Sequence, residues 1–129
     1  MFLRLAACVC ALFASALARA DDSSSVKLSE LARGSRFRIA TADRVYRGEL
    51  VNPATGETQL AVSDDGQQFS QPRMVYLLGA TQGQDVESGG LMLVKMHQLQ
   101  TGLRMELGVG SLDERDRRVT EPVNSIRIE

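Results

Sequence analysis

The sequence predicts an all-β protein, an antiparallel meander of about seven to nine strands forming a small barrel or a barrel-like sandwich. Two observations carry this. From residue 36 onward apolar and polar residues alternate in short runs, and the runs are separated by Gly, Pro, Asn and Asp clusters at nearly regular spacing. No long stretch has the 3.6-residue period of a helix, so crossovers between parallel strands are not expected.

The elements follow in order. Asp21 to Ser25 is polar and without period, so it reads as a frayed leader. Val26 to Arg33 suits one short helix burying Leu28, Leu31 and Ala32, with Ser25 as N-cap and Gly34 past the C-cap. Arg36 to Thr41 alternates, placing Phe37, Ile39 and Thr41 on one face. Ala42 and Asp43 make a tight turn into Arg44 to Val51, where Tyr46 and Leu50 face inward and Gly48 leaves room for a bend. Asn52 to Gly56 forms a second turn into Glu57 to Ser63. Asp64, Asp65 and Gly66 close a third before Gln67 to Ser70, anchored by Phe69.

Arg73 to Gly79 is almost continuously apolar, as expected of a central strand. Thr81 to Gly90 holds three glycines and no packing pattern, and reads as the longest loop. Leu91 to Leu99 and Leu103 to Val109 flank a turn and form a long hairpin, with Arg104 and Glu106 outward. Ser111 to Arg118 is a charged turn, and Val119 with Asn124 to Glu129 closes the sheet through Ile126 and Ile128.

The first twenty residues have a different character. Met1 to Arg4 is a short positive segment, Leu5 to Leu17 is uncharged and apolar, and Ala18 and Ala20 are the small residues a signal peptidase reads. The chain therefore divides into a signal peptide over 1–20, a leader and short helix over 21–34, and one β domain over 35–129. The expected destination is the periplasm or the exterior of a bacterium. The apolar run is shorter than the roughly 20 residues that span a bilayer, so no stable membrane span is expected in the mature chain. Cys8 stands early in that run, whereas a lipidated cysteine closes it.

Composition narrows the function. Both cysteines, Cys8 and Cys10, fall within the signal, which removes disulfides, thiol nucleophiles and cysteine-held metals from the mature protein. The formal net charge is −1 over 129 residues, and losing Arg4 and Arg19 with the signal makes the mature chain more acidic. Nucleic acid is disfavoured as a partner, since that affinity is drawn from a basic surface. No Trp is present to stack on a sugar. His97 is the only histidine and no GxSxG elbow accompanies it, which disfavours triad hydrolysis.

Three side-chain groups remain. Arg36, Arg38, Arg44 and Arg47 fall on one hairpin and could hold an anionic ligand or protein partner, although strand arginines also pair with neighbouring acids and discourage edge association. Met92, Met96, His97 and Met105 offer thioethers and an imidazole, the ligands of a soft metal such as copper, although Met92 and Met96 share a face that His97 does not. The carboxylate pairs Asp64/Asp65 and Asp113/Asp116 would serve a small hydrolase, but both occupy turns that favour Asp for its own sake.

Residues 43–52, Asp-Arg-Val-Tyr-Arg-Gly-Glu-Leu-Val-Asn, resemble the second strand of Sm-like and SH3-like small barrels, in which a glycine bends a strand of alternating apolar residues. The resemblance implies a small barrel. It carries no binding residue, because the later Val-Tyr-Leu-Leu-Gly lacks the charge and glycine pairing with which Sm proteins hold RNA. The expectation is a non-catalytic binding or structural interaction module without a cofactor. A Met/His copper carrier and a turn-carboxylate hydrolase are the alternatives.

Overall fold

Alternation at residues 36–63 produces a meander of three strands whose apolar sides face one way. β3 (Arg36–Thr41), β4 (Val45–Asn52) and β5 (Glu57–Ser63) pair antiparallel in sequence order. Phe37, Ile39, Tyr46, Leu50 and Leu60 are buried on their common side. The computed structural model describes residues 21–84 and 91–129, with the side chains of a few residues at the edges of those segments excepted. The segment 1–20 read as a signal peptide, Ala18 and Ala20 included, lies outside the described residues.

β5 pairs with β6 (Arg73–Gln84), and β6 pairs through its other edge with β9 (Arg104–Val109). β9 pairs with the first half of β10 (Arg117–Ile128), and the second half of β10 returns to β3. The hydrogen bonds thus form a ring, β3-β4-β5-β6-β9-β10, and the sheet closes as a barrel. β1 (Asp21–Ser23) and β7 (Leu91–Met96) extend its edges to eight strands. β2 (Ser25–Lys27) and β8 (Gln98–Gln100) form a separate ribbon that carries Val26 and Leu99 into the core.

Two glycines make the packing possible. The Phe37 ring lies where a Cβ on Gly48 would stand, so the missing side chain at the β4 bend is filled by a phenylalanine from the neighbouring strand. Gly79, at φ 151°, sits at the register shift of β6 against the backbone of Lys95, a position no side chain could share.

Several sequence expectations are corrected. The segment 26–33 is not a helix: Val26 pairs with Leu99, and only a single 3-10 turn, Leu28–Glu30, follows. The gain from inserting Val26, Leu28 and Leu99 into a shared core exceeds what two isolated helical turns would supply. The leader pairs with β10 through Asp21↔Ile128 and Ser23↔Ile126. Residues 91–99 and 103–109 do not form a hairpin with each other. His97, at φ 50°, breaks that run, sending β7 to β6 and β8 to β2. Gln67 to Ser70 is not a strand, and β6 continues through Gln84 into the expected loop, whose residues 85–90 lie outside the described residues.

Candidate functional site

The β3–β4 hairpin gathers its arginines as expected, and the register decides what each one meets. Arg38 and Arg47 are directly opposed across the ladder, as are Arg36 and Glu49. Two opposed guanidiniums repel unless something intervenes. Here the Phe69 ring covers both, with Arg47 5.2 Å and Arg38 5.7 Å from its centroid, and Arg38 Nη2 donates to the Gly66 carbonyl at 2.9 Å. Arg36 Nε donates to Glu49 Oε1 at 3.3 Å. A groove of about 320 Å³ lies beside this cluster, lined by Arg36, Arg47 and Phe69 but also by Glu49 and Glu129. Arg44 is separated from the other three and faces Asp64 at 3.6 Å, at another part of the barrel.

The Phe69 contacts belong to a loop that folds back on the sheet. Ser63 Oγ donates to Asp65 Oδ1 at 2.9 Å, and the Gln67 and Gln68 backbone N–H groups donate to the same oxygen at 2.8 and 3.0 Å. These donors hold the Asp65 carboxyl down at about 2. The Ser70 N–H then donates to the Val62 carbonyl at 2.8 Å, and the Val62 N–H donates to Ser70 Oγ at 3.0 Å.

The loop stands at one end of the β5–β6 ladder. β5 and β6 pair only from Glu57↔Tyr76 to Leu60↔Arg73. Beyond Leu60, Val62 bonds to Ser70 in the segment that leads into β6. A cavity of about 740 Å³ lies there. Its floor is the core itself, with Tyr46, Leu60, Val75 and Leu107 each no more than 6 % exposed, and the half-buried Val62, Val109 and Val119 form its walls. Tyr46 puts the only phenol into it. Burial raises the Tyr46 pKa above the usual phenol range against the opposing pull of Arg44, so the hydroxyl stays neutral at ordinary pH.

The rim is charged. Asp43, Arg44, Arg73, Arg118 and Glu121 all line the cavity. Asp43 accepts from Thr41 Oγ1 at 2.8 Å, Glu121 stands 3.7 Å from Arg104, and Arg118 Nη1 donates to the carbonyls of Arg115 and Arg117. Among the described residues no side-chain partner is present for Arg73. Of the sequence-nominated residues only Arg44 lines this cavity. The signal that could have found the site was indirect: Pro72 just before Arg73 and an Asp-Asp-Gly turn just after β5 are both places where a ladder stops.

The methionines with described side chains differ in environment. Met105 is 1 % exposed in the core, whereas Met96 is 70 % exposed. His97 is half-buried, and the Met92 side chain lies outside the described residues. The carboxylate pairs are likewise divided: Asp65 is held in its own turn, Asp64 faces Arg44, Asp113 faces Arg115 at 3.5 Å, and Asp116 accepts from Ser111 Oγ at 2.6 Å. Glu106, expected outward, is instead 2 % exposed, with Arg117 Nη1 3.8 Å from its Oε1. No helix among the described residues is long and apolar enough to cross a membrane. No family model, curated protein or solved structure matches the chain, so the reading of this barrel rests on its own geometry.

Proposed function

We propose that the protein is an exported, non-catalytic binding module whose ligand enters the open end of the barrel. The observation that supports this is the cavity of about 740 Å³ floored by Tyr46, Leu60, Val75 and Leu107. Small-molecule sites are concave and mostly apolar, with a few polar groups and volumes of roughly 300–1,000 Å³. This cavity has that size, with an apolar floor under a polar and charged rim, and a closed sheet behind it keeps the floor in place without a ligand. Export follows from the signal-peptide pattern of residues 1–20.

The neutral apolar dye N-phenyl-1-naphthylamine tests the binding reading, because its emission rises on leaving water. Saturable enhancement with the wild-type chain is expected, and Val62→Trp or Val109→Trp should remove it by filling the opening while the urea midpoint stays near that of the wild type. No saturable enhancement with the wild type would overturn the reading. For export, a mature mass beginning at Asp21 in the exported fraction is expected, and an uncleaved chain retained in the cell would contradict it.

A further inference from the structure

We infer that the ligand of this cavity is a single-chain amphiphile with an anionic head, its apolar body against Leu60, Val75 and Leu107 and its head at Arg73. The inference rests on the reading of the cavity as a ligand site and adds the chemical class of the ligand.

The charges around the opening carry it. Of five charged side chains at the rim, Arg44, Asp43 and Glu121 have partners among the protein's own groups: Asp64, the Thr41 hydroxyl and Arg104 respectively. The Arg118 guanidinium is turned to carbonyls of its own strand entry. Arg73 is left, at the position where the β5–β6 ladder ends and the cavity opens. A guanidinium presents its donors as a planar fork that matches a carboxylate or phosphate. It is exposed while free, so it needs no internal counter-ion, yet it stands at the rim of a cavity with an apolar floor, where a bound chain would exclude water and strengthen the pairing.

The interior selects the rest of the ligand. Leu60, Val62, Val75, Leu107, Val109 and Val119 offer no hydrogen-bonding side chains, so a sugar or peptide would leave its polar groups unpaired there, at about 1–3 kcal/mol each. A hydrocarbon chain leaves none, and each methylene buried contributes about 0.8 kcal/mol. The uncharged polar groups of the lining are the Tyr46 hydroxyl, Thr120 and Ser70, and the last two are already engaged: Thr120 Oγ1 accepts from the Met105 N–H at 3.1 Å and Ser70 Oγ accepts from the Val62 N–H at 3.0 Å.

The test is competition against bound N-phenyl-1-naphthylamine by laurate, dodecyl phosphate, dodecanol and dodecyltrimethylammonium, which share a chain and differ in the head. Laurate and dodecyl phosphate are expected to displace the dye at concentrations about tenfold or more below dodecanol, the difference that one charge-assisted hydrogen-bonded pair supplies. The cationic amphiphile should be the weakest. Arg73→Gln should erase the preference for the anions, Arg73→Lys should restore part of it, and Arg33→Gln, the same loss of charge away from the opening, should keep it whole. A preference for laurate alone would identify a carboxylate head, and an equal preference for dodecyl phosphate would identify a general anion site. Equal displacement by laurate and dodecanol, or an anion preference that survives Arg73→Gln, would overturn the inference while leaving the cavity a binding site. Failure of the dye to bind at all would remove both.

Discussion

The two arginine-bearing regions of this barrel are built differently. On the outer face of β3 and β4 the guanidiniums are dense and occupied: Arg36 on Glu49, Arg38 on the Gly66 carbonyl and Phe69, Arg47 on Phe69. At the open end Arg44, Arg73 and Arg118 line the cavity, and Arg73 stands without a side-chain partner among the described residues. The number of arginines therefore does not separate the two regions. What matters is whether the fold has already supplied the counter-group, and the β3–β4 face uses its arginines to hold the loop over residues 64–72.

The largest effect that would sharpen the contrast concerns packing. Leu77 is fully buried where the ring of strands is complete, and Leu77→Ala should lower the unfolding free energy by about 2–5 kcal/mol. Val62, at the opening, is half-buried and has empty space beside it, so Val62→Ala should cost under about 1.5 kcal/mol. Equal losses in urea denaturation would mean that the open end is packed as tightly as the closed part.

A smaller effect is expected from the loop. Phe69→Ala removes the ring that lies over Arg38 and Arg47 and leaves two like charges opposed, which should cost about 1 kcal/mol, since exposed cation–π contacts contribute about 0.5–1 kcal/mol each. The Ser70 amide should lose protection from hydrogen exchange as its bond to Val62 opens more often. Unchanged protection at Ser70 would show that the loop is held by its turn alone.

The smallest effect is one of pH. The Asp65 carboxyl titrates at about 2 in the folded chain against an ordinary 3.8, so the turn's extra stability is complete above the ordinary value and is lost as pH falls through about 2. Exchange at the Gln67 and Gln68 amides should rise over that window in the wild type. Asp65→Asn should show no such rise, and a wild-type profile flat from pH 4 to 2 would contradict the assignment.

How much of this was legible depended on whether the determining contacts were local. Phe37, Ile39 and Thr41 announced their burial by strict alternation, and the boundaries of β3 and β5 follow directly from it. The antiparallel all-β class was legible for the same reason, whereas barrel and sandwich stayed open because closure depends on β10 pairing with both β3 and β9. The pairing of the leader was hidden, since Asp21 to Ser23 has no pattern of its own and is ordered by β10, a hundred residues away. His97 was hidden for a related reason: nothing in Lys95-Met96-His97 announces a positive φ, which is imposed by the need for β7 and β8 to reach different partners. The clustering of arginines on one hairpin was readable, whereas their cover by Phe69 depends on the path of the loop over residues 64–72. Similarly, the cavity is a consequence of where the β5–β6 ladder stops, a property of two strands together and of neither alone.

The most direct test of the proposed site is a titration of the isotopically labelled chain with laurate, followed through the backbone amide resonances. Saturable shifts concentrated at Tyr46, Val62, Arg73, Leu107 and Val119 are the predicted result, with the amides of Arg36, Arg47 and Glu49 little changed. Shifts concentrated on the β3–β4 face, with the open end silent, would contradict the account and return the arginine hairpin to first place as the binding surface.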